Sequence, residues 1–216
     1  MAAPAPLRPP TREPPALHDR AIQDLSFIRR TMEGAASFTD VPGWGLVFIG
    51  ITAIGASALA AVQPSAGRWI SVWLAEAVVG AILGGGAIWR KMRARSTHRD
   101  APVLSAPARK FLLGFWPAIL AGAVLTFALV DFQTVWQAGS AVPDTLPGLW
   151  LLLYGVGVIT AGAFSVRAVP ALGAVFMVLG TTTLLVPHMS PDMMLALGFG
   201  LCHIAFGLWI ARRHGG

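Results

Sequence analysis

Six long apolar stretches separated by short polar connections dominate the chain: Trp44–Val62, Trp69–Trp89, Phe111–Val130, Leu146–Val166, Pro170–Val186 and Met193–Ala211. A bilayer core about 30 Å thick needs roughly 20 apolar residues in a helix that rises about 1.5 Å per residue. All six approach that length, the fifth being the shortest because Pro170 and Pro187 bracket it. The runs are too long, and too uniformly apolar, to be the alternating strands of a barrel. Helices also satisfy every backbone amide within the segment, as a lipid interior demands. The pattern therefore predicts an all-α fold, a polytopic membrane bundle of six transmembrane helices. Trp44, Trp69, Trp73, Trp116 and Trp150 stand near span starts, and Trp89 and Trp209 near ends. An indole suits the headgroup boundary, so these seven are expected to mark the interfaces.

A different pattern precedes the first span. Pro4, Pro6, Pro9, Pro10, Pro14 and Pro15 predict an extended, disordered tip over residues 1–16. Leu17, Ala21, Leu25, Ile28, Met32 and Ala35 then recur at helical spacing, with Arg20, Asp24, Arg30 and Glu33 largely off the stripe. One amphipathic helix is expected over residues 17–34, followed by a linker that Pro42-Gly43 breaks. The predicted organisation is a tip (1–16), an amphipathic helix and linker (17–43), a transmembrane domain (44–211) and a short tail (212–216).

Composition agrees with this reading. Of 216 residues, 55% are apolar and 12% charged, about half the charge of an ordinary soluble domain. One cysteine excludes a disulfide framework and a cysteine-based metal site. Arg8, Arg12, Arg20, Arg29 and Arg30 precede the first span; Arg90, Lys91, Arg93, Arg95, Arg99, Arg109 and Lys110 lie between the second and third. Arg167 lies between the fourth and fifth spans, and Arg212 and Arg213 follow the sixth, whereas the alternate connections carry only Arg68 together with Asp131, Asp144 and Asp192. The positive-inside rule then predicts both termini in the cytoplasm. The basic excess follows topology and, lacking interleaved aromatics, gives no reason to expect a nucleic-acid partner; the lipid bilayer is the expected surroundings. The first residues contain no apolar signal-peptide core, so the first span is expected to act as its own insertion signal.

Several runs carry a family resemblance: LHDRAIQDLSFIRRTMEGAASFTDVPGWG at Leu17–Gly45, VWLAEA at Val72–Ala77, LPGLWLLLYG at Leu146–Gly155, GAFSVRAVP at Gly162–Pro170 and FGLCHIAFGLWIARR at Phe199–Arg213. Together they resemble a family of uncharacterised bacterial multi-span integral membrane proteins. The resemblance implies the six-helix architecture and supplies no activity, cofactor or site residue. Arginine-over-lysine usage with abundant Ala, Gly and Pro fits a GC-rich bacterium, so the expected location is a bacterial cytoplasmic (inner) membrane.

Two ionisable residues fall well inside spans, Glu76 in the second and His203 in the sixth. A charge at the centre of a membrane helix costs about 2.5–3.5 kcal/mol, so both should face other helices or water. Glu76, Gly80, Gly84 and Ala87 share one helical face, as do Ala196, Gly200, His203 and Gly207, and small residues let helices approach. The plainer expectation is a buried polar clasp in which Glu76 bonds to His203, Tyr154 or a Ser/Thr hydroxyl such as that of Ser71. The functional expectation is a proton-accepting carboxylate with a histidine relay. Thr181, Thr182 and Thr183 could line a polar path, although threonine commonly bonds its own helix backbone. Pro117 should kink the third span, and Cys202 reads as an apolar filler.

No catalytic constellation, phosphate-binding loop or metal-ligand spacing is visible, so neither enzyme activity, metal nor cofactor is expected. Shifting the chain by 105 residues lays PGWGLVFIGITAIGASA at Pro42 over PGLWLLLYGVGVITAGA at Pro147. An inverted 3+3 repeat, as in secondary transporters, would produce such a match. Two functions follow as expectations. One is an accessory, scaffolding or regulatory membrane component contacting a protein partner or another copy of itself. The other is a small-solute or proton-coupled transporter using Glu76 and His203.

Overall fold

The structure, a computed structural model, describes residues 21–28, 41–95, 106–163, 165–186 and 189–214. The chain divides into two compact units, Met1–Ala36 and Ser37–Gly216. In the first, residues 21–28 form a helix (α1) on which Ile22, Leu25 and Ile28 are exposed. The proline-rich tip and the remainder of the helix expected over 17–34 lie outside the described residues.

The second unit consists of helices long and apolar enough to cross a bilayer, six in number among the described residues. They are α2 (Gly43–Ala60), α3 (Ala66–Arg95), α4 (Ala106–Leu129), α5 (Thr145–Gly162), α6 (Ala168–Leu185) and a last rod, α7. The last rod has three consecutive parts, an α-helix Pro191–Leu195, a π-helical segment Ala196–Cys202 and an α-helix His203–His214. Several ends differ from the apolar stretches for local reasons. α3 continues to Arg95 because Lys and Arg are good helix formers and suit the negative end of a helix dipole. α7 begins at Pro191, where Ser190 caps the Met193 amide and Asp192 sits in the first turn. α5 stops at Gly162 and the chain reverses within a few residues, with Ser165 N–H donating to the Gly162 carbonyl at 2.9 Å.

Two antiparallel glycine seams organise the bundle. Cβ atoms built on Gly50 and Gly207 would lie 2.6 and 2.7 Å from the carbonyl oxygens of Gly200 and Gly43 across the α2–α7 contact. Cβ atoms built on Gly155 and Gly180 would lie 2.7 and 2.8 Å from the Gly173 and Gly148 carbonyls across α5–α6. Gly43 therefore faces Gly207 and Gly50 faces Gly200; Gly148 faces Gly180 and Gly155 faces Gly173, each helix using glycines seven residues apart. Backbones come this close only where neither helix carries a side chain, which gives extensive van der Waals contact where no hydrophobic force operates.

α3 and α4 flank these seams more loosely. α3 packs on α2 through Ala87 against Gly45 and through Ile49, which sits 3.4 Å from a Cβ position on Gly84 and 3.7 Å from one on Gly80. α4 packs on α5, and runs unbroken through Pro117. Proline disturbs the carbonyls of the preceding turn; the Thr160 hydroxyl lies 2.7 Å from one of them, the Gly114 oxygen, and can donate to it from α5. A hydroxyl from a neighbouring helix is a usual remedy for disturbed backbone in lipid.

At one rim the connection 130–144 docks on the start of α3 and satisfies amides that a helix N-terminus leaves unpaired. Ser140 Oγ accepts from the Ala66 amide at 3.1 Å, and the Val135 carbonyl accepts from the Gly67 amide at 2.7 Å. Ser140 also donates to the Val135 carbonyl at 2.7 Å, tying both acceptors together. Ser140→Ala is expected to lower stability by about 1 kcal/mol, the usual value of such a cap, read as a lower thermal midpoint in detergent. In the same connection Asp131 accepts from the Thr134 hydroxyl at 2.7 Å and the Gln133 amide at 3.0 Å. These bonds hold its carboxyl below the usual carboxylate range, so the turn keeps them down to lower pH and loses them as pH falls through that depressed pKa.

Candidate functional site

The polar groups inside the spans resolve into two separate centres. Glu76 lies half-buried on the α3 face that meets α2, and its Oε1 is 2.8 Å from Thr52 Oγ1. Hairpin geometry explains the pairing, because Thr52 and Glu76 are equidistant from Pro64 in the α2–α3 turn. The Thr52 hydroxyl also lies 2.9 Å from the Ile49 carbonyl and 3.2 Å from that of Phe48, yet it carries one proton. Thr52 therefore donates to Glu76 when the carboxylate is ionised. When Glu76 is protonated the carboxyl donates to Thr52, which turns its own proton back to the helix backbone. Ser71 donates to the Gly67 carbonyl of its own helix at 2.8 Å.

Glu76→Gln keeps a donor and an acceptor opposite Thr52 and should change stability little. Thr52→Val should cost roughly 0.6 kcal/mol, the mean for an interhelical hydrogen bond in a membrane bundle. Thermal unfolding of both variants in the same detergent checks this order.

His203 occupies the other centre and is fully buried, at 0% exposure. Its Nε2 is 2.8 Å from the Tyr154 hydroxyl and its Nδ1 3.4 Å from the Gly198 carbonyl. A carbonyl only accepts, so the neutral ring carries its proton on Nδ1 and its bare Nε2 accepts from Tyr154. Around this pair Phe176 lies 4.7 Å and Phe199 4.9 Å from the Tyr154 ring, and Phe115 stands edge-on at 5.6 Å. These side chains come from α4, α5, α6 and α7. The π segment Ala196–Cys202 immediately precedes His203 and carries Gly198. Its widened turn shifts the helical phase, so Gly200 and Gly207 serve the α2 seam while His203 turns toward Tyr154 on α5.

The expected clasp is thus two clasps: Glu76 bonds a threonine hydroxyl, that of Thr52, in place of His203, Tyr154 or Ser71, and His203 bonds Tyr154. Gly207 seats the backbone of Gly43 and Val47, and Gly200 makes room for the Ile54 side chain, 2.7 Å from its Cβ position, whereas Gly80 and Gly84 meet only the Ile49 side chain in ordinary contact. Thr182 and Thr183 donate to the Val178 and Leu179 carbonyls of their own helix at 2.9 and 2.8 Å. Among the described residues no three His, Cys, Asp or Glu side chains converge as a metal site. A cavity of about 320 Å³ lies away from both centres, in the 130–144 connection, where Asp131, Thr134, Gln137 and Ser140 line it.

The tryptophans also divide. Trp44, Trp89, Trp116 and Trp209 are exposed, as interface markers should be. Trp69 and Trp73 are buried and Trp150 is half-buried, so these three turn into the bundle instead. The Trp69 indole donates to the Asp192 carboxylate at 2.7 Å, and that of Trp150 to Thr126 Oγ1 at 2.8 Å. Nothing in the residue pattern distinguishes the two groups, because span starts carry both. Against known proteins, the chain matches no family model, no curated protein and no solved structure.

Proposed function

We propose that the chain is a non-catalytic component of a bacterial cytoplasmic membrane, with an accessory, scaffolding or regulatory role carried out through contacts. The observation that carries this reading is the division of the intramembrane polar groups into two separately satisfied pairs. A proton relay needs its carboxylate and imidazole within reach of one another, whereas Glu76 is engaged with Thr52 and His203 is enclosed with Tyr154 among aromatic rings.

Two further features support it. The 105-residue offset superposes Gly43 and Gly50 on Gly148 and Gly155, but the first pair seats α7 and the second α6. We read the offset as a shared packing face. The apolar residues Leu25 and Ile28 on α1 offer a face for a protein partner or a second copy. In this proposal the arm, both termini and the Arg90–Lys110 connection lie in the cytoplasm, a reading that the basic ends of the spans support.

The test compares liposomes holding wild-type protein, liposomes holding Glu76→Gln, and protein-free liposomes, each loaded with a pH-sensitive dye. Equal decay of an imposed pH gradient in all three is the expected result. Wild-type leakage that Glu76→Gln abolishes would overturn the proposal in favour of proton-coupled transport. In parallel, cross-linking in native membranes should lose its adducts when residues 1–36 are deleted; an unchanged pattern removes the arm as the contact surface.

A further inference from the structure

A file of aromatic rings leads from the rim that carries Asp192 to the centre of the bundle. Trp150 and Trp69 stack 5.8 Å apart with planes 13° from parallel. Trp73 follows 6.1 Å from Trp69, Phe199 6.2 Å from Trp73, and Tyr154 4.9 Å from Phe199. Four of these five rings are indoles or a phenol, the side chains that give up a single electron most readily, and the only phenylalanine bridges the last step.

The members differ in where their protons can go. The Trp150 N–H faces a hydroxyl oxygen, which is no base. The Trp69 N–H faces the Asp192 carboxylate, which can hold the proton and return it. The Trp73 N–H is buried and has no hydrogen-bond partner among the described residues. An indole radical cation there has no acceptor among the described residues to which it can lose its proton, so it is not trapped as a neutral radical. Tyr154 is different. Its O–H points at the bare Nε2 of His203 at 2.8 Å, a base placed to take the phenolic proton as an electron leaves.

We propose that this file is a one-electron relay in which Tyr154 is the terminal donor and His203 its proton acceptor. An oxidising radical at the Asp192 rim, such as azidyl, gains an electron from Trp150 or Trp69 and becomes its anion, leaving an indole radical cation. The hole moves to Trp73, and Trp73 regains its electron from Tyr154 across the Phe199 ring. At Tyr154 the O–H bond breaks and an N–H bond forms at His203 Nε2. The products are a neutral phenoxyl radical and an imidazolium whose Nδ1–H faces the Gly198 carbonyl. One electron from an enediol reductant such as ascorbate, with return of the proton from His203, restores the resting pair. Such a relay draws oxidising equivalents away from the rim tryptophans and holds them on a ring enclosed by Phe115, Phe176 and Phe199.

Tyr154 is the sole tyrosine of the chain, so a phenoxyl signal has one source. The experiment is pulse radiolysis of the full-length protein in lipid nanodiscs, with azidyl radical as the one-electron oxidant and time-resolved absorption as the readout. Indole-radical absorption should decay as the phenoxyl band grows, and the growth should slow in heavy water because a proton moves with the electron. Tyr154→Phe should abolish the phenoxyl band and prolong the indole signal. Trp73→Phe and His203→Gln should each slow its growth by an order of magnitude or more, with folding verified by circular dichroism. Absence of a phenoxyl band in wild type overturns the proposal without any variant. A band that grows at the wild-type rate in folded Trp73→Phe and His203→Gln overturns it as well.

Discussion

Gly155→Leu should prevent the bundle from assembling or lower its stability by about 3 kcal/mol or more, the upper end of what overpacking costs in a close-packed core. A Cβ at this position would lie 2.7 Å from the Gly173 carbonyl oxygen and 2.8 Å from the Met177 amide nitrogen. Both obstacles are backbone, so no rotamer change relieves them; α5 and α6 would have to separate along the seam. Gly50→Leu should behave alike, since Gly200 and Ile204 backbone atoms stand in the same relation to it across α2–α7. The control is Gly85→Ala on α3, where a Cβ would meet nothing within 4 Å. That change should be neutral or stabilise by up to about 1 kcal/mol, the helix-propensity difference between the two residues. Thermal unfolding in detergent, followed by circular dichroism, separates the two cases. Equal midpoints for Gly155→Leu and wild type would show that the seams do not hold the bundle.

Removal of the His203 ring should have the second largest effect. His203→Ala empties a fully enclosed site between α5, α6 and α7 and leaves the Tyr154 hydroxyl without its acceptor. Emptying a core site of this size costs about 3–5 kcal/mol in soluble proteins, part of which is transfer from water. In lipid that part is absent and lost packing remains, so a cost of about 2–4 kcal/mol is expected. Tyr154→Phe keeps the ring and its aromatic contacts and loses one hydrogen bond, about 1 kcal/mol or less. The ordering is the diagnostic result. A Tyr154→Phe midpoint as low as that of His203→Ala would mean that the hydrogen bond, and not ring packing, holds this centre together.

How much of this was legible beforehand depends on the residue. Glu76 and His203 stand out in apolar surroundings, and their placement toward other helices follows from the cost of exposing charge to lipid. Their partners were less accessible. Thr52 could have been found from hairpin symmetry about Pro64, since an antiparallel helix pair joined by a short turn brings equidistant residues together. The Tyr154–His203 pair had no such signal, because the rings that enclose it come one each from α4, α6 and α7, which no spacing along a single helix connects. The heptad spacing of Gly43–Gly50, Gly148–Gly155, Gly173–Gly180 and Gly200–Gly207 is visible once sought, whereas Gly80 and Gly84 have the more familiar spacing and make the looser contact. The phase of His203 relative to Gly200 was hidden by the π segment, which no residue pattern announced.

The order of residues alone settles that there are six apolar rods, about how long they are, and which connections hold the arginines. Matching apolar length to hydrocarbon thickness is a one-dimensional comparison that needs no knowledge of neighbours. Which face of each rod turns inward was decided only by tertiary packing. In a water-soluble helix the polar face reveals the inner one by contrast, but lipid tails are as apolar as a packed core, and α5 and α6 are apolar all round. Trp69 therefore looks like Trp44 along the chain, although one is buried and donates to Asp192 and the other is exposed at the periphery. Steric fit between backbones, and the need of each polar atom for a partner, made those choices.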